Sequence, residues 1–130
     1  MANVPDELLY SKDHEWARVT GRRVRVGITA HAVDQLGDVT LVGYEKAAKV
    51  GASLAAGAVF GQVESVKTVS DLYAPVSGVV VALNDAAVDA PESLNAGPYD
   101  AWLIELELAE GASVEGLMNA SAYSAYLGSL

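Results

Sequence analysis

The chain contains no cysteine. This excludes disulfides, thiolate nucleophiles and thiolate metal sites. Any sulfur redox chemistry performed here must therefore come from an attached cofactor. Histidine is nearly as scarce. His14 and His31 are the only two, far apart in sequence and without ligand spacing, so no metal site is expected. No apolar run approaches the ~20 residues that span a bilayer, so no membrane association is expected. Basic residues are few, 8 against 17 acidic ones, for a net charge of −9. Their one cluster is Arg22-Arg23-Val24-Arg25. On a strand, Arg23 and Arg25 share a face, which reads as a solvated edge and not as a nucleic-acid surface. The acidic balance favours solubility and steering toward basic patches on partners. The N-terminal stretch MANVPDELLY is acidic and lacks the apolar centre of a signal or transit peptide, so a cytoplasmic protein is expected.

What is present is enough for one domain spanning 1–130, with 52% apolar residues. HEWARVT alternates Trp16, Arg18 and Thr20 against Ala17 and Val19; Gly21-Arg22 turns the chain, and RVRVGI alternates again. TAHAVDQLG then switches to helical spacing, with Thr29 as cap and Gly37 as stop. DVTLVGY returns to strand, and the Ala-rich stretch 45–57 reads as loop with short strand pieces. AVFGQVESV and TVSDLYAPVSGVVVALN are strand-rich, with Pro75 confined to an edge or bend because it cannot donate to a ladder. Residues 85–100 read as loop, with one helical turn at Pro91-Glu92-Ser93-Leu94. AWLIELEL alternates as a strand, and NASAYSAYL places Ala122, Tyr123, Tyr126 and Leu127 on one helical face after the cap residue Asn119. Short strands broken by Gly and Pro, closed by a helix, predict a mainly β small barrel or sandwich.

The chain has four lysines, and one stands where two valine-rich strands meet, in Val66-Lys67-Thr68-Val69. Without Gly or Asn, this junction disfavours type I′ and II′ turns and favours type I. Lys67 then sits at the tip with its ammonium in water. Such a lysine serves either as a solubilising turn residue, the commoner use, or as a modification site, its flexible four-carbon stem open to acylation. Spacing alone leaves both open.

The segment GQVESVKTVSDLYAPVSGVVVALN resembles the lipoyl-attachment segment of the glycine cleavage system H protein family. YSKDHEWARV, VGIT, QLGDVTLV, LNAGPYDAWLIELEL and AYSAYL are similar to further family blocks, in family order, over nearly the whole chain. The Glu-Ser-Val-Lys-x-x-Ser-Asp core differs from the Met-Lys-Met of biotin carriers and the Asp-Lys-Ala of 2-oxoacid dehydrogenase lipoyl domains. The resemblance implies a barrel-sandwich hybrid of two antiparallel sheets with a short inserted helix and a C-terminal helix. It implies lipoate in amide linkage to Lys67, and recognition by the lipoate-attaching enzyme through Glu64 and Gly78, positions that otherwise read as a strand charge and a turn glycine.

It also implies a cleft into which the loaded arm folds, lined by Glu15 and Asp71. There a carboxylate would hold the protonated amine by a charge-assisted hydrogen bond. A third cleft position, often histidine in the family, is Gln35 here, which accepts a hydrogen bond but carries no charge. GYEKAAKVG departs as well: its loop is longer than the family's and lacks the usual proline, so changed docking or stability is expected there. The implied role is that of a non-catalytic, monomeric carrier. Glycine decarboxylase, with pyridoxal phosphate, would load the arm. Aminomethyltransferase would pass the one-carbon unit to tetrahydrofolate, and dihydrolipoamide dehydrogenase, with FAD, would reoxidise the dithiol. An H-like lipoyl protein of lipoate relay or sulfur metabolism, and an unmodified β-barrel binding module, are the alternatives.

Overall fold

The computed structural model describes residues 4–130; the first three residues of the N-terminal stretch lie outside them. Two antiparallel sheets form the frame, as expected. The larger has the order β1 (Leu9–Tyr10), β2 (Glu15–Thr20), β3 (Arg23–Ile28), β9 (Ile104–Leu108), β8 (Gly78–Leu83), β5 (Ser53–Leu54). The smaller has the order β4 (Val39–Tyr44), β6 (Val59–Ser65), β7 (Val69–Tyr73). The alternation of RVRVGI and LIELEL is realised directly: Val24 pairs with Leu106 and Val26 with Ile104, all four fully buried. They meet Phe60, Val63 and Leu72 of the smaller sheet to make the main core.

The larger sheet has a second, smaller core on its other face. Trp16 alternates with Ala17 and so points away from the main core. It packs with Leu8, Tyr10, Ala120 and Tyr123 under the C-terminal helix α4 (Ala120–Gly128). Its indole lies over Gly27, where an added Cβ would stand 2.5 Å from the ring, so only glycine fits. Its Nε1–H donates to the Pro98 carbonyl at 2.9 Å. As expected, Asn119 caps α4 by accepting from Ala122 N–H. Tyr123 is buried and Tyr126 and Leu127 are half-buried, but Ala122 is exposed and falls outside the packed face.

Helix α1 (Ala30–Leu36) is the inserted helix foreseen in TAHAVDQLG. The Thr29 hydroxyl accepts from Ala32 N–H, and Gly37, at φ 82, closes it with its N–H on the Val33 carbonyl. The stretch 85–100, expected as loop with one helical turn at Pro91 to Leu94, contains two short helices, α2 (Asp85–Asp89) and α3 (Ser93–Ala96), the second overlapping that turn. Asparagines organise both. Asn84 caps α2 through Ala86 N–H and donates to the Trp102 carbonyl. Asn95 accepts from Val39 N–H at 2.9 Å and donates to the Gly37 carbonyl at 3.1 Å, tying α3 to the α1–β4 junction. Such long-range pairing leaves no periodic trace in sequence. Pro75 lies in the bend between β7 and β8, as required. The loop at Glu45 to Val50 is anchored by fully buried Ala48, and the next residue, Gly51, donates its N–H to the Val80 carbonyl.

Arg23 and Arg25 do not form an edge. Strand β3 is interior to its sheet, and both arginines pair with Glu105, Arg23 also with Glu107.

Candidate functional site

The two strands β6 and β7 form a hairpin with Glu64 opposite Val69. Between them the chain turns through Ser65 to Thr68, closed by Ser65 N–H donating to the Thr68 carbonyl at 2.8 Å. Among the described residues His14 is the only non-glycine with positive φ, so this turn is neither type I′ nor II′. Val66, Lys67 and Thr68 are all exposed, Val66 to 87%. The Lys67 stem is not splayed at random. Its Cε lies 3.7 Å from where a Cβ on Gly37 would stand, so it runs over the C-terminal end of α1.

Beside that path lies a cleft of about 240 Å³. One wall is Ala32, Gln35 and Leu36 of α1; another is Thr68 to Leu72. Because β7 is the edge strand of its sheet, this whole run can border the opening. Asp13, His14 and Glu15, leading into β2, close the third side.

Glu15 is the deepest polar group, only 2% exposed. Its Oε2 accepts from Tyr73 N–H at 2.7 Å, and its Oε1 accepts from the Ser11 hydroxyl at 3.3 Å. No ion pair reaches it among the described residues. Burial pushes its pKa up to about 8, with Asp13 adding to the rise and the two hydrogen bonds opposing it. Near neutral pH this favours the neutral carboxylic acid over the carboxylate. The physical reason is desolvation: taking a charge out of water without a counter-ion favours the protonated form. A cation entering the cleft would reverse this preference.

The other anticipated residues divide. Asp71 and Gln35 both border the cleft, and both are exposed, so they sit toward its mouth. Glu64 does not border it. It is half-buried in a cross-strand row between Leu41 and Val69, whose side chains are 47% and 58% exposed. Gly78 is buried at the start of β8, paired with Leu108 on one side and Leu54 on the other. A Cβ there would collide with the Glu107 carbonyl, so packing alone demands glycine.

Sequence reasoning missed several cleft residues. Asp13, His14, Thr68 and Ser70 border it, and Ser11 and Tyr73 hold Glu15. The two histidines, distant in sequence, meet with ring centroids 4.5 Å apart. His14 adopts φ 67, and its Nδ1 lies 2.8 Å from the Tyr123 hydroxyl, which in turn lies 3.0 Å from Thr29 Oγ1. Burial, and then His31, lower its pKa. The adjacency of His14 to Glu15 was the available signal; the reversed backbone and the contact with α4 had none. No cluster of three metal-ligating side chains occurs among the described residues.

The family model for the glycine cleavage H-protein matches residues 8–129. The chain belongs to that family. It is 47% identical over 126 residues to the glycine cleavage system H protein of Myxococcus xanthus, covering 96% of this chain and 95% of the relative. It is 50% identical over 127 residues to that of Symbiobacterium thermophilum, covering 97% of each. The crystal structure of a glycine cleavage system H protein from Mycobacterium marinum superposes with a TM-score of 0.85 at 42% identity, covering 96% of this chain and 99% of that one. The mainly β architecture of two antiparallel sheets is thus a family property. No helix among the described residues is long and apolar enough to cross a membrane.

Proposed function

We propose that this protein is the cytoplasmic, non-catalytic lipoyl carrier of a glycine cleavage system, with lipoate in amide linkage to Lys67. One observation carries the reading. An exposed lysine at a hairpin tip has its stem directed past Gly37, beside a cleft of about 240 Å³ whose floor is a buried carboxyl group that no basic side chain pairs among the described residues. The residues present fit the group: a primary amine in water for acylation, an adjoining cavity, and no thiol to trap the dithiol as a mixed disulfide. When attached, the lipoyl group supplies a disulfide that accepts an aminomethyl unit reductively.

This chain's own residues do the rest. The hairpin presents Lys67 to partners. The cleft excludes water from the returning arm, and Glu15 receives its ammonium. Because Glu15 rests largely neutral at pH 7, the ammonium would bind best with Glu15 ionised, so capture releases a proton from that carboxyl. Asp71 and Gln35 act at the mouth, one by charge and one as a neutral acceptor. Glu64 and Gly78 keep their proposed part in recognition by the attaching enzyme, beside the packing role of Gly78. Glycine decarboxylase, aminomethyltransferase and dihydrolipoamide dehydrogenase are the proposed partners, met by a single-domain monomer over 1–130.

Intact mass after expression with lipoate tests the site. One lipoyl increment is expected on the wild type and none on Lys67→Arg; an increment that persists in the variant assigns the group elsewhere. The pathway is tested by glycine-dependent carbon dioxide exchange with purified decarboxylase. Lipoylated protein that supports no exchange belongs to another pathway.

A further inference from the structure

All four arginines of the chain lie on or beside one surface, the open part of the larger sheet's outer face. The register explains it. Arg18 pairs with Arg25 and Arg25 with Glu105; Thr20 pairs with Arg23 and Arg23 with Glu107. Cross-strand partners share a face, so two rows stand side by side, and Arg22 flanks them in the β2–β3 turn. Arg18, Thr20, Arg23, Arg25 and Glu105 line a groove of about 290 Å³.

Two features set this surface apart. The first is charge. Four arginines against Glu105 and Glu107 leave it at +2, while the remaining four lysines against fifteen acids leave the rest of the chain at −11, together the net −9. The second is preorganisation. The Arg25 guanidinium lies 4.6 Å from the Trp102 ring centroid and that of Arg18 lies 5.9 Å from Trp16. Glu105, half-buried, bridges Arg23 at 3.1 Å and Arg25 at 2.8 Å, and these contacts hold its carboxyl below the usual range. Glu105 thus spaces two guanidiniums, while half of each side chain stays in solvent. Arg22 donates to the Leu108 and Ala109 carbonyls. Arg18 has no carboxylate partner among the described residues. Arginines fixed before contact lose little entropy on binding, and their planar forks match carboxylates.

We propose that this arginine face is a docking surface for a carboxylate-rich surface of a partner protein. The carrier reading enters only in choosing which partners to test. The charge contrast orients the molecule as well: an acidic partner is repelled by the rest of the surface and attracted here.

Arg18→Glu is the first variant, because Arg18 braces no ion pair; Arg18→Lys keeps the charge, and Arg18→Gln/Arg25→Gln removes two. With lipoylated protein as substrate, the expected result is a KM for at least one of the three partner enzymes raised about 10-fold by Arg18→Glu. kcat should be unchanged, Arg18→Lys should stay near wild type, and the variant should lose the wild type's rise of KM with salt. KM values within twofold for all three enzymes, with unaltered salt dependence, overturn the proposal. Should the carrier reading itself fail, amide shifts of the unmodified chain on titration with a hexaglutamate peptide still decide. Changes confined to β2, β3 and β9 that vanish in Arg18→Gln/Arg25→Gln support the face. No changes, changes at the lysines, or equal changes with inorganic phosphate or duplex DNA overturn it.

Discussion

Lys67 and Glu15 occupy opposite ends of the proposed arm's route and are built in opposite ways. Lys67 stands on an exposed turn closed by the Ser65 N–H on the Thr68 carbonyl and reinforced by the Ser65 hydroxyl. Glu15 is 2% exposed and held from two directions by Tyr73 and Ser11. A residue that must meet several enzymes gains from having few neighbours, whereas a residue that must receive one small cation gains from being fixed. The comparison implies that changes at the tip cost function without stability. Changes on the floor should show in stability first, and with a pH signature.

The largest effect is expected at the tip. Lys67→Arg keeps the charge and length but offers no amine for acylation, so lipoyl incorporation should fall to nothing in the intact mass. Because the side chain is exposed, the melting temperature should move by no more than about 1–2 °C. A drop of about 5 °C or more would mean that the lysine packs against α1 strongly enough to blur the contrast.

Next comes the floor. The Glu15 pKa is raised from 4.5 to about 8 on folding. The folded state therefore binds the proton more tightly than the unfolded state. Its presence costs nothing below the unfolded pKa, and stability falls as pH rises from about 4.5 to about 8. Glu15→Gln keeps an acceptor for Tyr73 N–H and has no charge to bury. In urea unfolding the variant should match the wild type near pH 4 and exceed it at pH 9 by on the order of 5 kcal/mol. Parallel stability curves for the two proteins across that range would show that Glu15 is ionised and solvated in the fold.

The two ends also differed in how far they could be read from sequence. The tip was legible because its determinants are local: two valine-rich strands, no residue suited to a primed turn, and a lysine between them. Resemblance to the family then chose among the uses of that lysine. The strands and α1 were legible for the same reason, since alternation and caps are written within a few residues. The cleft was legible only as a set of family positions. Its physical state depends on Tyr73, Ser11 and Asp13 acting together on Glu15, and no spacing announces that a strand's N–H will point at a carboxyl 58 residues away. The contact of His14 with His31 is hidden in the same way, as are the helices organised by Asn84 and Asn95. The arginine face was half legible: RVRV placed Arg23 and Arg25 together, but nothing local revealed that β3 would be interior, with Glu105 and Glu107 beside it.

A smaller effect tests whether the floor is held from behind. The Tyr123 hydroxyl joins His14 to Thr29, the residue that caps α1, so it links two walls of the cleft to α4. Tyr123→Phe leaves the ring stacking on Tyr10 intact, with centroids 4.6 Å apart, but takes one hydrogen-bond partner from the buried Thr29 hydroxyl, which keeps Ala32 N–H, and one from the partly buried His14 imidazole. A loss of about 1–2 kcal/mol is expected from urea unfolding. It should come with faster decay of the aminomethyl-loaded arm, because His14 and α1 both border the cleft. A stability loss without any change in that decay would uncouple α4 from the cleft.

The smallest effect concerns the mouth, where this chain has Gln35. Glutamine accepts a hydrogen bond from an ammonium at any pH, and so does neutral imidazole. Imidazolium cannot accept, and it repels the same group by roughly 1 kcal/mol at the mouth's high dielectric. Gln35→His should therefore leave the lifetime of the loaded arm within about twofold of wild type at pH 8. At pH 6 it should shorten that lifetime a further ~3–5-fold relative to wild type. Following ammonia release from the loaded carrier at the two pH values measures both numbers. If the ratio of lifetimes does not change between them, residue 35 does not face the ammonium, and its place at the mouth is one of shape alone. A pH-dependent ratio would instead identify glutamine as the feature that keeps this cleft's hold on its cargo steady where a histidine would make it fall with acidity.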